Sequence, residues 1–134
     1  EGWWAIPFPR MPNVSLMPNS RDLSEEEVIA ETKHGIFIEG SGSYSIDQQR
    51  YNFQFGGQSF WEIKDGKRIR MLRNVAYQAR TQDFWNSMAL IGGQQTYELG
   101  GTFNDGKGQP SQASSVSHGC PVALFRNINV LRTA

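Results

Sequence analysis

Thiols and imidazoles are nearly absent from this sequence: one cysteine, Cys120, and two histidines, His34 and His118, stand in 134 residues. A single cysteine excludes an internal disulfide and fits a reducing, cytoplasmic setting. So small a donor set excludes the paired C-x-x-C motifs of a structural zinc domain. The patterns H-E-x-x-H, G-x-S-x-G and the P-loop are missing too, which removes the common local signatures of zinc peptidases, serine hydrolases and nucleotide-binding enzymes. No excess of one charge is present: 13 basic and 13 acidic side chains give a net charge of zero. Phosphate binding normally shows as a basic surplus, so a nucleic-acid partner is disfavoured. No apolar run approaches bilayer length and no signal peptide opens the chain, so no membrane partner is expected. There is also no internal repeat and no low-complexity segment.

What remains is ordinary globular material, 38% hydrophobic and 12% aromatic, of a length suited to one domain over 1–134. The chain begins Glu1-Gly2-Trp3-Trp4. A natural start normally shows Met, so the expectation is a C-terminal piece of a longer polypeptide, whose missing part holds the rest of any site. Pro7, Pro9, Pro12 and Pro18 make residues 3–18 an irregular extended arm anchored by Trp3, Trp4 and Phe8.

A helix over 25–33 has a full set of start signals. Ser24 and Glu27 form a capping box, Leu23 and Val28 a hydrophobic staple, and Glu25 to Glu27 favour the positive end of the macrodipole. Lys33 and His34 close it, with Gly35 as left-handed cap. Strands follow at 36–38, at Tyr44 and Ile46, and at Tyr51, Phe53 and Phe55, before the break Gly56-Gly57. Residues 60–64 and 67–77 read as a hairpin. A three-residue loop of Lys64, Asp65 and Gly66 pairs Trp61 with Ile69 and Glu62 with Arg68, apolar with apolar and acid with base. It is preferred over a two-residue loop that sets Ile63 against Arg68. In the preferred register Arg68 and Arg70 become the solvent face of a strand, which is the first reading of the basic run Lys67, Arg68, Arg70 and Arg73. A second helix is expected over 82–91, capped by Thr81, with Phe84, Met88 and Ile91 as its apolar stripe. Strands at 96–99, 114–117 and 122–130 flank a glycine-rich connection at 100–109. The class is α+β, an antiparallel-rich sheet or partial barrel with two short helices.

Two of the three soft donors fall in the run Ser117-His118-Gly119-Cys120-Pro121. A His and a Cys two apart share one face of a strand and suit zinc, or a thiolate beside an imidazolium. The plain alternative is a buried Cys120 and a hydrogen-bonded loop His118, and from the residues alone it takes precedence. His34 reads as a helix C-terminal residue. The run Asp105-Gly106-Lys107-Gly108-Gln109-Pro110 lacks nucleotide-binding spacing, but Asp105 and Lys107 can serve as ligand and charge clamp or stand as solvated loop charges.

Three stretches in order resemble the TldD/PmbA family of metallopeptidases, once called modulators of DNA gyrase. They are Arg10-Met11-Pro12-Asn13 through Pro18, then Gly35-Ile36-Phe37-Ile38 with Ser45-Ile46-Asp47 and Tyr51-Asn52-Phe53, and then Asp105-Gly106-Lys107 through Cys120-Pro121. The resemblance spans essentially the whole chain. It implies a two-domain zinc peptidase working as paired subunits. An H-E-x-x-x-H helix in the preceding part would supply two histidines and a glutamate base, and a C-G-K loop in this part a cysteine ligand. Here Asp105 stands where that cysteine belongs. Asp105 can ligate zinc through oxygen, and Cys120, with His118 beside it, is the substitute candidate. Gly106, Lys107 and Gln109 are then candidate peptide-binding residues. The implied partners are the N-terminal part of the same protein, a second TldD/PmbA-type subunit and a peptide substrate. The alternative is a non-catalytic subunit of the PmbA type. On either reading the isolated chain is expected to be inactive.

Overall fold

The computed structural model describes residues 11–108 and 111–133. The anchors Trp3, Trp4 and Phe8 of the expected arm lie outside them. The part of the arm that is described departs from expectation. Asn13–Ser15 forms a strand, β1, and pairs parallel with a strand from the far end of the chain.

The first helix, α1 (Glu25–Ala30), begins as its sequence dictates. The Glu27 amide donates to Ser24 Oγ at 3.2 Å, and the Ser24 amide to Glu27 Oε2 at 2.7 Å. Its end comes earlier than the expected 25–33. Glu31 is the C-cap in right-handed geometry, and His34 opens the next strand, β2 (His34–Glu39), with Gly35 inside it. The physical reason is cross-strand pairing: Gly35 lies opposite Ile63 and His34 opposite Lys64, so the ladder takes up groups that the helix would have used.

Strands β3 (Tyr44–Ile46) and β4 (Asn52–Phe55) form a hairpin whose loop is tied by Asp47. Its carboxylate accepts from the amides of Tyr51 at 2.9 Å and Asn52 at 2.7 Å. β5 (Ser59–Lys64) and β6 (Lys67–Met71) form the hairpin expected at 60–77, with a different register and a shorter second strand. The loop has two residues, Asp65 and Gly66, both left-handed at φ 48° and 75°. That conformation matches the twist of a hairpin. Ile63 therefore meets Arg68, as the rejected register required. A bulge then resets the ladder, so that Glu62 faces Arg70 and Trp61 faces Met71. The expected pairs Trp61–Ile69 and Glu62–Arg68 are not formed, but partners of the same kind, Met71 and Arg70, take their places two residues further along. The chain next turns at Asn74 (φ 56°), so β7 (Val75–Arg80) joins another sheet.

α2 (Thr81–Asn86) is real but short. Thr81 does not cap it; its hydroxyl donates to the Arg50 carbonyl at 2.6 Å. Met88–Ile91, expected as helix, is a strand, β8. Four apolar residues satisfy either period, and pairing with β11 (Ala123–Phe125) decides for the strand. After a 3-10 turn at Gln94–Thr96 come the two longest strands, β9 (Glu98–Lys107) and β10 (Gln112–Cys120). The glycine-rich stretch is thus mostly strand and not a turn-rich connection. At Gly101 an added Cβ would meet the Val116 carbonyl at 2.5 Å, so close approach of the two backbones depends on glycine there. The last expected strand divides, because Asn127 turns left-handed (φ 58°), and β12 (Asn129–Arg132) pairs with β7.

The described residues form four sheets, ordered β1-β10-β9, β11-β8, β12-β7-β4-β3 and β2-β5-β6. Apart from the parallel β1–β10 pair their ladders are antiparallel, and none closes into a barrel. The α+β class holds. Val28, Ile29, Phe53, Phe60, Ile63, Ala76 and Val116 are buried. Between the four-stranded sheet and α2, Phe53, Tyr77 and Phe84 meet edge-on or stacked, and Phe84 stacks on Phe125 at 4.0 Å. Burial there raises the Tyr77 phenol above its ordinary pKa.

Candidate functional site

The sequence candidates converge on one hairpin, β9–β10, and the register fixes where each stands. Near the hairpin's closed end Asp105 lies opposite Ser114, Gly106 opposite Ala113 and Lys107 opposite Gln112. Asp105 and Lys107 are half-buried. Gln109 lies outside the described residues. At the open end His118 lies opposite Gly100 and Cys120 opposite Glu98. Between the two ends a bulge takes in Phe103 and Asn104, and the Ser115 hydroxyl donates to the Phe103 carbonyl at 3.2 Å.

His118 and Cys120 share a strand face, as their spacing predicts. Neither fits the plain alternative in full. Cys120 is exposed and its thiol is free, so it is not a packing residue. His118 is hydrogen-bonded as expected, but from a strand: its Nδ1 lies 3.3 Å from both the amide and the carbonyl of Val14 on β1. Behind this face Tyr97 donates to Ser15 Oγ at 2.9 Å and covers Gly119.

Asp105 and Cys120 are not brought together. Cys120 lies six residue steps along β10 from Ser114, roughly 20 Å at about 3.3 Å per residue. They are two separate positions, not alternative donors to one point. Among the described residues no three His, Cys, Asp or Glu side chains form a group able to hold a metal ion. The donor set of the described residues does not by itself fit a metal centre.

The register adds one residue that sequence reasoning missed. Glu98 stands directly across from Cys120. No spacing rule links positions 22 apart, and only pairing shows it. The other candidates fall away from this hairpin. His34 is exposed on the wall of a cleft of about 520 Å³ between α1, β2 and β11, together with Ile29, Phe37 and Leu124. Two of the four side chains of the basic run are paired: Arg68 with Glu25, lying over the Phe37 ring, and Arg70 with Glu62 at 2.6 Å. No helix among the described residues is long and apolar enough to cross a membrane.

The family model described as the PmbA/TldA metallopeptidase C-terminal domain matches residues 3–132. The chain belongs to this family. A protein of Methanothermobacter thermautotrophicus named as a metalloprotease is 27% identical over 124 residues, covering 92% of this chain and 26% of the relative. A metalloprotease of Methanocaldococcus jannaschii is 27% identical over 104 residues, covering 78% of this chain and 23% of the relative. The chain thus spans about a quarter of the length of the curated relatives it matches. As a PmbA/TldA C-terminal domain it offers one hairpin, with a carboxylate at one end and a His–Cys face at the other.

Proposed function

We propose that this chain is the C-terminal domain of a zinc metallopeptidase subunit, and that Asp105 contributes one ligand to a metal site completed by the preceding part of the protein. The observation that carries this reading is the position of Asp105. By the resemblance it stands where the family's cysteine belongs; it is half-buried on β9, and β9 is the edge of its sheet among the described residues. A zinc ligand and a backbone edge able to receive an extended peptide by β-addition then lie on the same strand. A carboxylate suits one place in a four-ligand zinc site, and an H-E-x-x-x-H helix would supply the remaining protein donors. The bound metal would supply Lewis-acid activation of water. Lys107, two residues on, would hold a substrate carbonyl or carboxylate, with Gly106 and Gln109 shaping the cleft. A second TldD/PmbA-type subunit would enclose the site. The free thiol of Cys120 agrees with a cytoplasmic setting.

A second reading rests on one specific departure. Aspartate, not cysteine, stands at 105, which suits a non-catalytic subunit that docks an active partner. The two separate by the zinc content of the full-length protein, wild type beside Asp105→Ala and Cys120→Ala. Stoichiometric zinc lost only in Asp105→Ala supports the first reading. Loss only in Cys120→Ala moves the ligand to the other end of the hairpin. No zinc in any of the three after metal-replete purification favours the non-catalytic subunit.

A further inference from the structure

Two strand edges open onto the cleft of about 520 Å³ beside α1. β2 ends the three-stranded sheet, and β11 ends the two-stranded one. Consecutive residues of both, His34 to Phe37 and Ala123 to Phe125, line the cleft. An exposed sheet face would present alternate residues, so an unbroken run marks a backbone rim. The hydrogen bonds say which groups lie on that rim. The Lys33 and Glu39 carbonyls accept from the amides of Asp65 and Gln58, on the β5 side, and the register between them is unbroken. Direction alternates along an antiparallel strand, so Phe37 faces β5 while His34 and Ile36 turn their N–H and C=O groups to the open side. On β11 the Val122 carbonyl accepts from the Gly92 amide, and the Arg126 amide donates to the Ser87 carbonyl. Leu124 therefore faces β8, and Ala123 and Phe125 turn their backbone groups away from it. No backbone hydrogen bond among the described residues joins β2 to β11.

Ile36, Ala123 and Phe125 are half-buried, and an amide drawn out of water without a partner is unfavourable. The buried side chains of Ile29 on α1 and Ile63 on β5 add an apolar floor. Such walls call for an extended backbone of about four residues, roughly 13 Å at about 3.3 Å per residue. Pairing on both sides needs an N–H at every position, which excludes proline, and the floor favours apolar side chains at alternate positions. This chain covers 26% and 23% of the two curated relatives, so most of their length lies outside it. We propose that the cleft receives one strand from the part of the protein that precedes this chain, paired with β2 on one side and β11 on the other. β8, β11, the inserted strand, β2, β5 and β6 then run as one sheet beside α1. This rests on the reading of the chain as a C-terminal domain, and it adds where the preceding part is anchored: a cleft lined by none of Asp105, His118 and Cys120.

The test uses the full-length protein. A photoreactive benzoylphenylalanine replaces the exposed His34, the cross-linked segment is mapped by mass spectrometry, and hydrogen exchange is resolved to single amides. The expected cross-link runs, within one subunit, to a proline-free segment that precedes this chain. The rim amides of Ile36 and Phe125 should exchange within about tenfold of those of Phe37 and Leu124, which face β5 and β8. Free exchange at Ile36 and Phe125 beside protected Phe37 and Leu124 overturns the insertion, even where a cross-link forms. A cross-link to a second subunit, or to residues 1–10, gives the cleft a different occupant and overturns it as well. So does the absence of any cross-link beyond the described residues. None of these results bears on zinc at Asp105, which the metal content of the variants decides, so the two readings fail separately.

Discussion

Arg68 on β6 carries its guanidinium to Glu25 in the first turn of α1, and on the way lies 4.5 Å above the centre of the Phe37 ring. One side chain thereby joins the basic strand to the helix and to β2. Both ends of the ion pair are about one-third exposed, so its contribution is modest: about 0.2–1 kcal/mol for the pair and a similar amount for the ring contact. Arg68→Ala should therefore lower stability by about 1 kcal/mol in a urea titration, and Arg68→Met, which keeps the stem, by less. Added salt should weaken the wild type toward the variant. Because Arg68 and Arg70 are both paired, no nucleic-acid affinity beyond weak salt-sensitive association is expected.

The capping box of α1 gives a second prediction. Ser24→Ala removes a side-chain acceptor at the helix start and should cost about 1 kcal/mol. Ser24→Asp should retain most of the stability, since Asp caps equally well.

Acid should unfold this chain through a few identified carboxyls. Glu27 is held below the ordinary carboxylate pKa by the Ser24 amide, Asp47 by the Tyr51 amide, and Glu39 by the Ser59 hydroxyl. A depressed folded-state pKa gives stability that is complete above the unfolded value and is lost as pH falls through the folded one. The melting temperature should thus be level near neutrality and fall below about pH 4. Asp47→Asn should flatten that limb as well as lower the plateau.

Gly66 is irreplaceable for two reasons at once. Its φ is +75°, and an added Cβ would meet the Ala30 carbonyl at 2.9 Å. Gly66→Ala should destabilise by at least about 1 kcal/mol. Asp65→Asn, at φ 48°, should be close to neutral. Ile63, 2% exposed, makes the contrasting case: Ile63→Ala should cost about 2–5 kcal/mol through the cavity it leaves.

Local chemistry was legible where one short stretch decides the outcome. Ser24 and Glu27 mark the helix start, Gly66 the left-handed turn, and Phe53 with Phe55 a half-buried strand. What the sequence concealed depends on partners distant along the chain. Met88 to Ile91 became strand because residues 123–125 lay ready to pair, and Gly100 to Lys107 because β10 ran alongside. The hairpin register was hidden by a bulge, which satisfied two demands that an unbroken ladder sets against each other. At the candidate site the spacing of His118 and Cys120 gave their shared face. Only the pairing revealed that Asp105 sits at the other end of the hairpin, and that Glu98 faces Cys120.

Cobalt in place of zinc tests the central claim most directly, in the full-length protein carrying Asp105→Cys. If residue 105 ligates the metal, the new thiolate should produce a sulfur-to-cobalt charge-transfer band that the wild type lacks, and the band should persist when Cys120→Ser is added. Cobalt bound without such a band, or a band in the wild type that Cys120→Ser removes, would contradict the assignment of Asp105.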